Sequence, residues 1–183
     1  SSTQALRRAL EKMIHSNFYK DEFDDSLKKL LDLAQNCGMS RKTEILLELL
    51  SNLNDKLIIF TQFRGTQDYL TDLLRGRGYT VSVFNGQLNQ AEKDACIEEF
   101  RNKNQILIST ESGGEGRNLQ FCKVLMNYDL PWNPMRIEQR IGRIHRLGQL
   151  EDVHIINLSA EDTIESYVLE LLDKKINMFR LII

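Results

Sequence analysis

The residues best suited to chemistry in this 183-residue sequence are arginines, which cluster between positions 127 and 149. Arg136, Arg140 and Arg143 fall at i, i+4 and i+7, a spacing that places side chains on one face of a helix, and Arg146 follows three residues later. A guanidinium is always charged and grips phosphate oxygens through parallel hydrogen bonds. The pattern predicts a phosphate-binding face, and the alternative is a solvated basic face without a ligand.

A glycine-rich segment is the second candidate. Gly113, Gly114 and Gly116 fill three of four successive positions in the segment that follows the short apolar run 106–108. Glycines allow unusual backbone angles and close approach to a ligand, although such a loop is also compatible with a simple turn. Gly142 interrupts the predicted arginine helix at a cost of about 1 kcal/mol relative to Ala, which predicts a close backbone approach there.

The elements that must position these residues follow an α/β pattern. Five short runs typical of buried strands occur at 57–60, 81–84, 106–108, 124–126 and 153–156, and helical segments alternate with them. This alternation favours right-handed crossovers and a mostly parallel sheet, in which ligands bind at the carboxyl ends of the strands. The loops after the third and fourth strands are therefore where chemistry is expected.

Capping residues predict several helix boundaries. Ser40 can cap one helix, Asn89 with Glu92 resembles a capping box, and Asn133 before a proline predicts a third start. Residues 1–39 are predicted to form a helical extension and residues 40–183 a single α/β lobe. Gly38 is expected to end an extension helix in the left-handed conformation. The apolar stripe of that helix is expected in the core: Phe23, Leu27, Leu30, Leu31, Ala34 and Cys37.

Composition excludes several function classes. The 24 Lys and Arg against 26 Asp and Glu give a net charge of −2, so binding of nucleic acid requires a local patch. The three cysteines fit neither a disulfide framework nor a metal knuckle, and no metal site is expected. No apolar run approaches the roughly 18 residues of a membrane span, and no secretory signal is visible, so a reducing, cytosolic setting is expected.

Five strings in fixed order carry a family resemblance. They are KLIIFTQF (56–63), FNGQL (84–88), ISTESGGEGRNLQF (108–121), YDLPWNP (128–134) and EQRIGRIHRLGQ (138–149). Together they resemble the second RecA-like lobe of superfamily 2 helicase-type motors, within the Swi/Snf class of double-stranded DNA translocases. EGRNLQF and DLPWNP are most similar to a bacterial branch that includes an RNA-polymerase-associated recycling factor. The implied fold is a parallel RecA-like sheet flanked by helices.

The resemblance implies roles in ATP hydrolysis. Arg143 and Arg146 match the arginine fingers that reach the γ-phosphate of ATP held by the first lobe. Gln139 matches the polar residue that senses the nucleotide. The loop that couples nucleotide state to DNA position is matched by Gly114, Glu115 and Gly116.

The resemblance also implies a DNA-contacting set. Gln62, Gly86 and Thr110 fall where the family touches the phosphate backbone of one strand, and such contacts set register without reading sequence. Trp132 matches an aromatic residue just ahead of the arginine helix. The alternative interpretation of Trp132, as a core packing residue, is at least as consistent with the sequence.

Two parts of a complete ATPase are missing. No glycine is followed by lysine, so the phosphate-cradling GxxxxGKS/T loop is not present, and no DExH box is recognisable. ATP and Mg²⁺ are therefore expected to be held mainly by a first lobe encoded upstream, and this chain alone is expected to be inactive. The implied partners are that N-terminal RecA-like lobe, double-stranded DNA, and RNA polymerase or another DNA-bound complex. The expected location is the cytoplasm, at a bacterial nucleoid, or a eukaryotic nucleus.

Two other functions remain as alternatives. The chain could be a stand-alone α/β module that binds nucleic acid or another polyanion without ATPase activity. It could also be an interaction module that uses its N-terminal helices and the apolar end, residues 181–183. The order of the motifs favours the motor lobe, because a solitary basic face would not bring the glycine loop, the WNP turn and the GQ ending with it.

Overall fold

The computed structural model describes residues 3–15, 24–36, 38–110, 118–145, 152–160 and 163–180. Helices and strands alternate through most of this part of the chain. In chain order the elements are α1 (Thr3–His15), α2 (Asp24–Asn36), α3 (Arg41–Asn52), β1 (Leu57–Thr61), α4 (Arg64–Gly76), β2 (Val81–Phe84), α5 (Gln90–Asn102), β3 (Ile106–Thr110), β4 (Val124–Asn127), α6 (Pro134–Ile141), β5 (His154–Asn157) and α7 (Ile164–Arg180).

The five strands form one parallel sheet in the order β2-β3-β1-β4-β5. The central strand β1 pairs with two neighbours, so that Leu57 lies opposite Ile106 on β3 and opposite Val124 on β4. Strands β1, β3 and β4 are buried along their whole length, as expected for parallel strands covered on both faces. The predicted parallel α/β sheet is confirmed.

Successive residues of β1 supply the cores on opposite faces of the sheet. Leu57 and Ile59 belong to the cluster that includes α3 and α4, and Ile58 and Phe60 belong to the cluster that includes α5. A third, smaller cluster joins α6 to α7 through Leu130, Ile137, Val168 and Leu172. In the described residues, no helix is long and apolar enough to span a membrane.

The three predicted helix starts are confirmed by side-chain caps. Ser40 accepts a hydrogen bond from the Thr43 backbone, Asn89 and Glu92 form a reciprocal capping box, and Asn133 accepts from the Met135 backbone ahead of α6. The prediction for Gly38 is wrong. α2 ends at Asn36, and Gly38 does not adopt a positive φ angle. Among the described glycines, Gly78 after α4 has a positive φ angle, of 88°.

The N-terminal helices form as predicted, but the predicted stripe of α2 is only partly buried. Leu10 of α1 and Ala34 of α2 are buried, whereas Leu30 is 50% exposed, so its placement in the core is wrong. The physical reason is that α2 packs mainly against α1, which covers one of its faces. Phe23 and Cys37 lie outside the described residues.

A buried glutamine joins the helix α4 to the ends of two strands. Gln67 is fully buried, and its Nε2 donates to the carbonyl oxygens of Phe84 on β2 (3.0 Å) and Ile108 on β3 (2.9 Å). Its Oε1 accepts from Asn85 Nδ2 at 3.3 Å. One side chain therefore satisfies two buried carbonyls and orients the residue that opens the loop after β2.

We expect Gln67→Leu to lower the free energy of unfolding by about 3 kcal/mol, because two buried carbonyl groups lose their donor. Urea denaturation followed by circular dichroism measures the change. The matched control is Gln87→Leu in the exposed part of the next loop, which should change stability by less than about 0.5 kcal/mol. Equal stabilities of the two variants would contradict the role given to Gln67.

Candidate functional site

The predicted DNA-contacting residues meet at one edge of the sheet. Strands β2, β3 and β1 are parallel neighbours, so their carboxyl ends lie side by side. Thr110 is the last residue of β3 and pairs in register with Thr61, the last residue of β1. Gln62 follows β1 directly, and Gly86 comes two residues after β2. The topology thus brings all three predicted positions to the same edge.

These three residues differ in accessibility. Gly86 is exposed, in a loop shaped by Asn85, whose Oδ1 accepts a hydrogen bond from the Gln87 backbone at 3.0 Å. Thr110 is only 7% exposed. Gln62 is half-buried, and its Nε2 donates to the carbonyl oxygen of Leu130, which links the segments that follow β1 and β4. Gly86 is therefore the most open of the three.

The predicted continuous arginine face is wrong. Helix α6 ends at Ile141, so Arg143 lies beyond it. Arg140 is only 4% exposed and points into the protein, where its Nη1 donates to Asn127 Oδ1 at 2.6 Å and to the Asp129 carbonyl at 3.1 Å. Arg136 remains exposed. The i, i+4, i+7 spacing fails because the helix stops before its third turn is complete.

Gly142 is the C-cap of α6 and not an interior helix residue. Its φ of −60° is open to any residue, and a Cβ added there would meet the Glu138 and Gln139 carbonyls at 3.5 and 3.6 Å, which is ordinary contact. The predicted close backbone approach at Gly142 is therefore wrong among the residues that the structure describes.

Arg143 and Gln139 lie at the end of α6 with side chains available to a ligand. Gln139 is exposed and Arg143 is half-buried. Within the described part of the chain, neither the Gln139 amide nor the Arg143 guanidinium takes part in a hydrogen bond or ion pair. The Arg143 backbone is held at both ends, since its nitrogen donates to the Arg140 carbonyl (3.1 Å) and its carbonyl accepts from the Leu119 nitrogen (3.0 Å).

Four predicted site residues lie outside the described residues: Arg146, Gly114, Glu115 and Gly116. The three glycines belong to the stretch 111–117, which starts directly after Thr110, and Asn118 is the first described residue after this stretch. The hydrogen bond between Leu119 and Arg143 therefore joins the chain just beyond the glycine segment to the predicted finger.

Trp132 is 76% exposed, so the interpretation of this residue as core packing is wrong. It lies in the segment between β4 and α6, and Met135 on the first turn of α6 is also exposed. Phe63, which follows Gln62 after the neighbouring strand β1, is 48% exposed. The edge of the sheet that carries the predicted DNA contacts thus also presents aromatic side chains.

Sequence reasoning missed the buried polar residues that support this edge. Thr61 Oγ1 donates to Asp129 Oδ2 at 2.5 Å, and Asn127 Nδ2 donates to Asn157 Oδ1 at 2.8 Å. The Arg140 guanidinium stacks on the Phe60 ring, 5.0 Å from its centroid. The available signal was the presence of Asn127 and Asp129 directly around the end of an apolar strand, where buried polar groups require partners.

A lysine–glutamate pair ties α3 and α7 to the segment after β4. Lys42 Nζ donates to Glu165 Oε2 at 2.6 Å and to the Tyr128 carbonyl at 3.2 Å. Glu165 Oε1 also accepts from the Leu130 nitrogen at 3.4 Å. Both charged side chains are about four-fifths buried, which makes the pair stronger than a surface ion pair.

The groups with shifted pKa values are structural. Burial raises the pKa of Cys96 and that of Cys122 to about 11, and both thiols donate to main-chain carbonyls. Burial also raises the pKa of Tyr128, whose hydroxyl bonds with Thr43 at 2.8 Å. All three stay protonated at neutral pH, so none is a nucleophile there. The described residues contain no group of three His, Cys, Asp or Glu that could hold a metal ion.

Comparison with known proteins identifies the family. The family described as "Helicase conserved C-terminal domain" matches residues 41–148, more than half of the chain. The chain belongs to the helicase C-terminal domain family. The arginine segment, the glycine segment and the three strand-end positions all fall inside the matched range.

The relatives of this helicase domain are Swi/Snf-type ATP-dependent helicases, so the predicted family is confirmed. The "Uncharacterized ATP-dependent helicase YqhH" of Bacillus subtilis is 43% identical over all of this chain, which spans 33% of that relative. A "Probable chromatin-remodeling complex ATPase chain" of Oryza sativa is 35% identical over 82% of this chain and 14% of its own length. "Helicase SWR1" of Saccharomyces cerevisiae is 34% identical over 78% of this chain and 10% of its own length.

Solved structures confirm the RecA-like lobe. The C-terminal part of the Fun30 ATPase domain superposes with a TM-score of 0.67 at 25% identity, covering 89% of this chain and 53% of that one. The C-terminal domain of the DEAD-box protein Dbp5 superposes with a TM-score of 0.62 at 27% identity, covering 74% of this chain and 78% of that one.

The described residues fit one half of an ATP site. The end of α6 offers an amide and a guanidinium, Gln139 and Arg143, as donors to phosphate oxygens. No cluster of carboxylates that would hold Mg²⁺ is present among the described residues.

We expect Glu165→Gln to lower the free energy of unfolding by about 1–2 kcal/mol, because Lys42 keeps its buried charge and loses its counterion. The matched control is Glu170→Gln, an exposed position on the same helix, which should be nearly neutral. Guanidinium chloride midpoints of the two variants decide the matter. An effect of Glu165→Gln no larger than that of the control would contradict a stabilising role for the pair.

Proposed function

We propose that this chain is the second motor lobe of an ATP-driven double-stranded DNA translocase. Arg143 and Arg146 act as arginine fingers on the γ-phosphate of ATP held by a first RecA-like lobe, which also holds Mg²⁺. Gln139 senses the nucleotide, and the loop with Gly114, Glu115 and Gly116 couples its state to the DNA. The observation that carries the proposal is Arg143 just beyond α6, with a hydrogen-bonded backbone and a guanidinium that has no partner among the described residues.

The position of Arg143 supports a role in phosphoryl transfer. A finger must keep its charge, reach outward and need little rearrangement when charge develops on the transferring group. Main-chain hydrogen bonds on both sides of Arg143 hold its backbone, whereas the side chain is committed to no partner in the described residues. The bond to Leu119 joins the Arg143 backbone to the chain three residues beyond Gly116.

The common edge formed by β2, β3 and β1 supports the DNA assignment. Gln62, Gly86 and Thr110 are carried by three adjacent strands, which are about 4.8 Å apart in a sheet. Three positions side by side at one edge suit contacts with the phosphate backbone of one strand. Such contacts are independent of sequence, as translocation along DNA requires.

The alternative of a stand-alone polyanion-binding module loses its main support. It depended on several arginines that share one face, and Arg140 is buried instead of facing solvent. The remaining local positive charge in the described segment is better suited to a single phosphoryl group than to an extended polyanion.

The partners and the place of action form part of the proposal. Residues 40–183 form the lobe, and residues 1–39 form the extension that connects it to the first lobe. The protein acts where DNA is, in the cytoplasm at a bacterial nucleoid or in a nucleus. RNA polymerase or another DNA-bound complex is the proposed object of the motor.

We expect Arg143→Ala in the whole protein to lower ATP turnover by about 10³-fold or more, since a finger contributes that much to phosphoryl transfer. The measurement is steady-state ATP hydrolysis with saturating DNA. The control is Arg77→Ala, at the opposite edge of the sheet after α4, which should keep turnover within about twofold. Near-normal turnover of Arg143→Ala would overturn the finger assignment.

We also expect duplex DNA to stimulate ATP hydrolysis, with an affinity that falls steeply as salt rises, because phosphate contacts release bound counterions. Duplexes of unrelated sequence should have half-stimulating concentrations within about twofold of each other, since phosphate contacts carry no sequence information. Titrations at two salt concentrations measure both properties. Stimulation by single-stranded nucleic acid alone would contradict the proposal.

A further inference from the structure

Arg140 is a buried cation that belongs neither to the proposed arginine fingers nor to the proposed DNA-contacting residues. Its side chain is 4% exposed, and a guanidinium cannot lose its charge in a protein. Burying a charge is costly, and an apolar side chain of similar volume often serves a protein core equally well. A use other than packing is therefore expected at this position.

The guanidinium fixes α6 against the carboxyl ends of β1 and β4. Nη1 donates to Asn127 Oδ1 at 2.6 Å and to the Asp129 carbonyl at 3.1 Å, and the planar group lies over the Phe60 ring, 5.0 Å from its centroid. Asn127 is itself held by Asn157 on β5. Because these contacts join α6 to β1, to β4 and to the segment after β4, they restrict the rotation of α6 about its axis.

This fixed point is connected to Arg143 through the main chain. The Arg143 nitrogen donates to the Arg140 carbonyl at 3.1 Å, and Ile144, the next residue, is fully buried in the core. Arg143 therefore lies between two anchored residues, which restrict the position of its backbone. A rotation or shift of α6 would move the Arg143 backbone with it.

We propose that Arg140 is a positioning residue that places Arg143 for phosphoryl transfer and does not itself contact the nucleotide. This inference rests on the proposed finger role of Arg143. Arg140 acts through the orientation of α6. Its loss therefore weakens the stabilisation of the transition state by Arg143 more than it weakens the binding of ATP.

The test is Arg140→Lys in the whole protein. Lysine keeps the charge but cannot bond two acceptors and stack on Phe60 with one planar group. We expect kcat to fall about 10- to 100-fold, because small misplacements of a catalytic group have effects of that size, with the KM for ATP unchanged within about twofold. The matched control is Arg75→Lys, whose guanidinium also bonds a main-chain carbonyl, that of Val81, but at the opposite edge of the sheet.

A double variant separates positioning from general damage. If Arg140 acts through Arg143, adding Arg140→Lys to Arg143→Ala lowers kcat no further, whereas a purely structural defect lowers it by the same factor in both backgrounds. Equal factors in the two backgrounds would overturn the inference, as would normal kcat for Arg140→Lys beside a low kcat for Arg143→Ala. Normal kcat for Arg143→Ala would overturn the proposed function itself.

A milder variant keeps the test decisive if Arg140→Lys fails to fold. Phe60→Leu keeps an apolar side chain in the core and removes the ring on which the guanidinium stacks. We expect it to lower kcat several-fold with an unchanged KM, and to have no further effect in the Arg143→Ala background. An unchanged kcat in a folded Phe60→Leu protein would count against the inference.

Discussion

The structure depends on one constraint, which is that carbonyl groups buried at the carboxyl ends of parallel strands need hydrogen-bond donors. Backbone nitrogens cannot supply them all there, since the strands end and the chain turns away. Side chains do so instead, three of them from helices and one, Gln62, from the segment directly after β1. Gln67 donates to carbonyl oxygens at the ends of β2 and β3. In the segment after β4, Lys42 donates to the Tyr128 carbonyl, Arg140 to the Asp129 carbonyl and Gln62 to the Leu130 carbonyl. These donors join the helices to the edge where the function is proposed.

The same donors make the edge rigid without covering it. Each one reaches the strand ends from a neighbouring helix or from the segment after β1, and Gly86, Trp132 and Gln139 stay exposed at the surface. A site that must hold charged groups in fixed places gains from this arrangement, because precision comes from buried contacts that water does not weaken. Rigid support beneath an exposed surface is consistent with the proposed function, in which a first lobe closes on this one.

Much of the fold could be predicted from local sequence signals. The parallel sheet followed from five apolar runs, and the caps at Ser40, Asn89 and Asn133 followed from their side chains. The site was less predictable, because helix spacing alone placed Arg140 beside Arg143 on the surface. No local sequence signal indicates that Arg140 bonds Asn127 in the core, because that pairing depends on how β4 lies against α6. Likewise Leu30 is exposed because α2 packs mainly against α1, which covers one of its faces.

The hydrogen bond between the Leu119 nitrogen and the Arg143 carbonyl joins two main chains. Side-chain replacement at either position leaves both atoms in place, and proline at 119 is the exception because it lacks the donor. Substitutions can therefore change the side chains near Leu119 and those near Arg143 independently, without removing the hydrogen bond between the two main chains. If the proposed function holds, substitutions of side chains can tune activity while the hydrogen bond between the two main chains is kept.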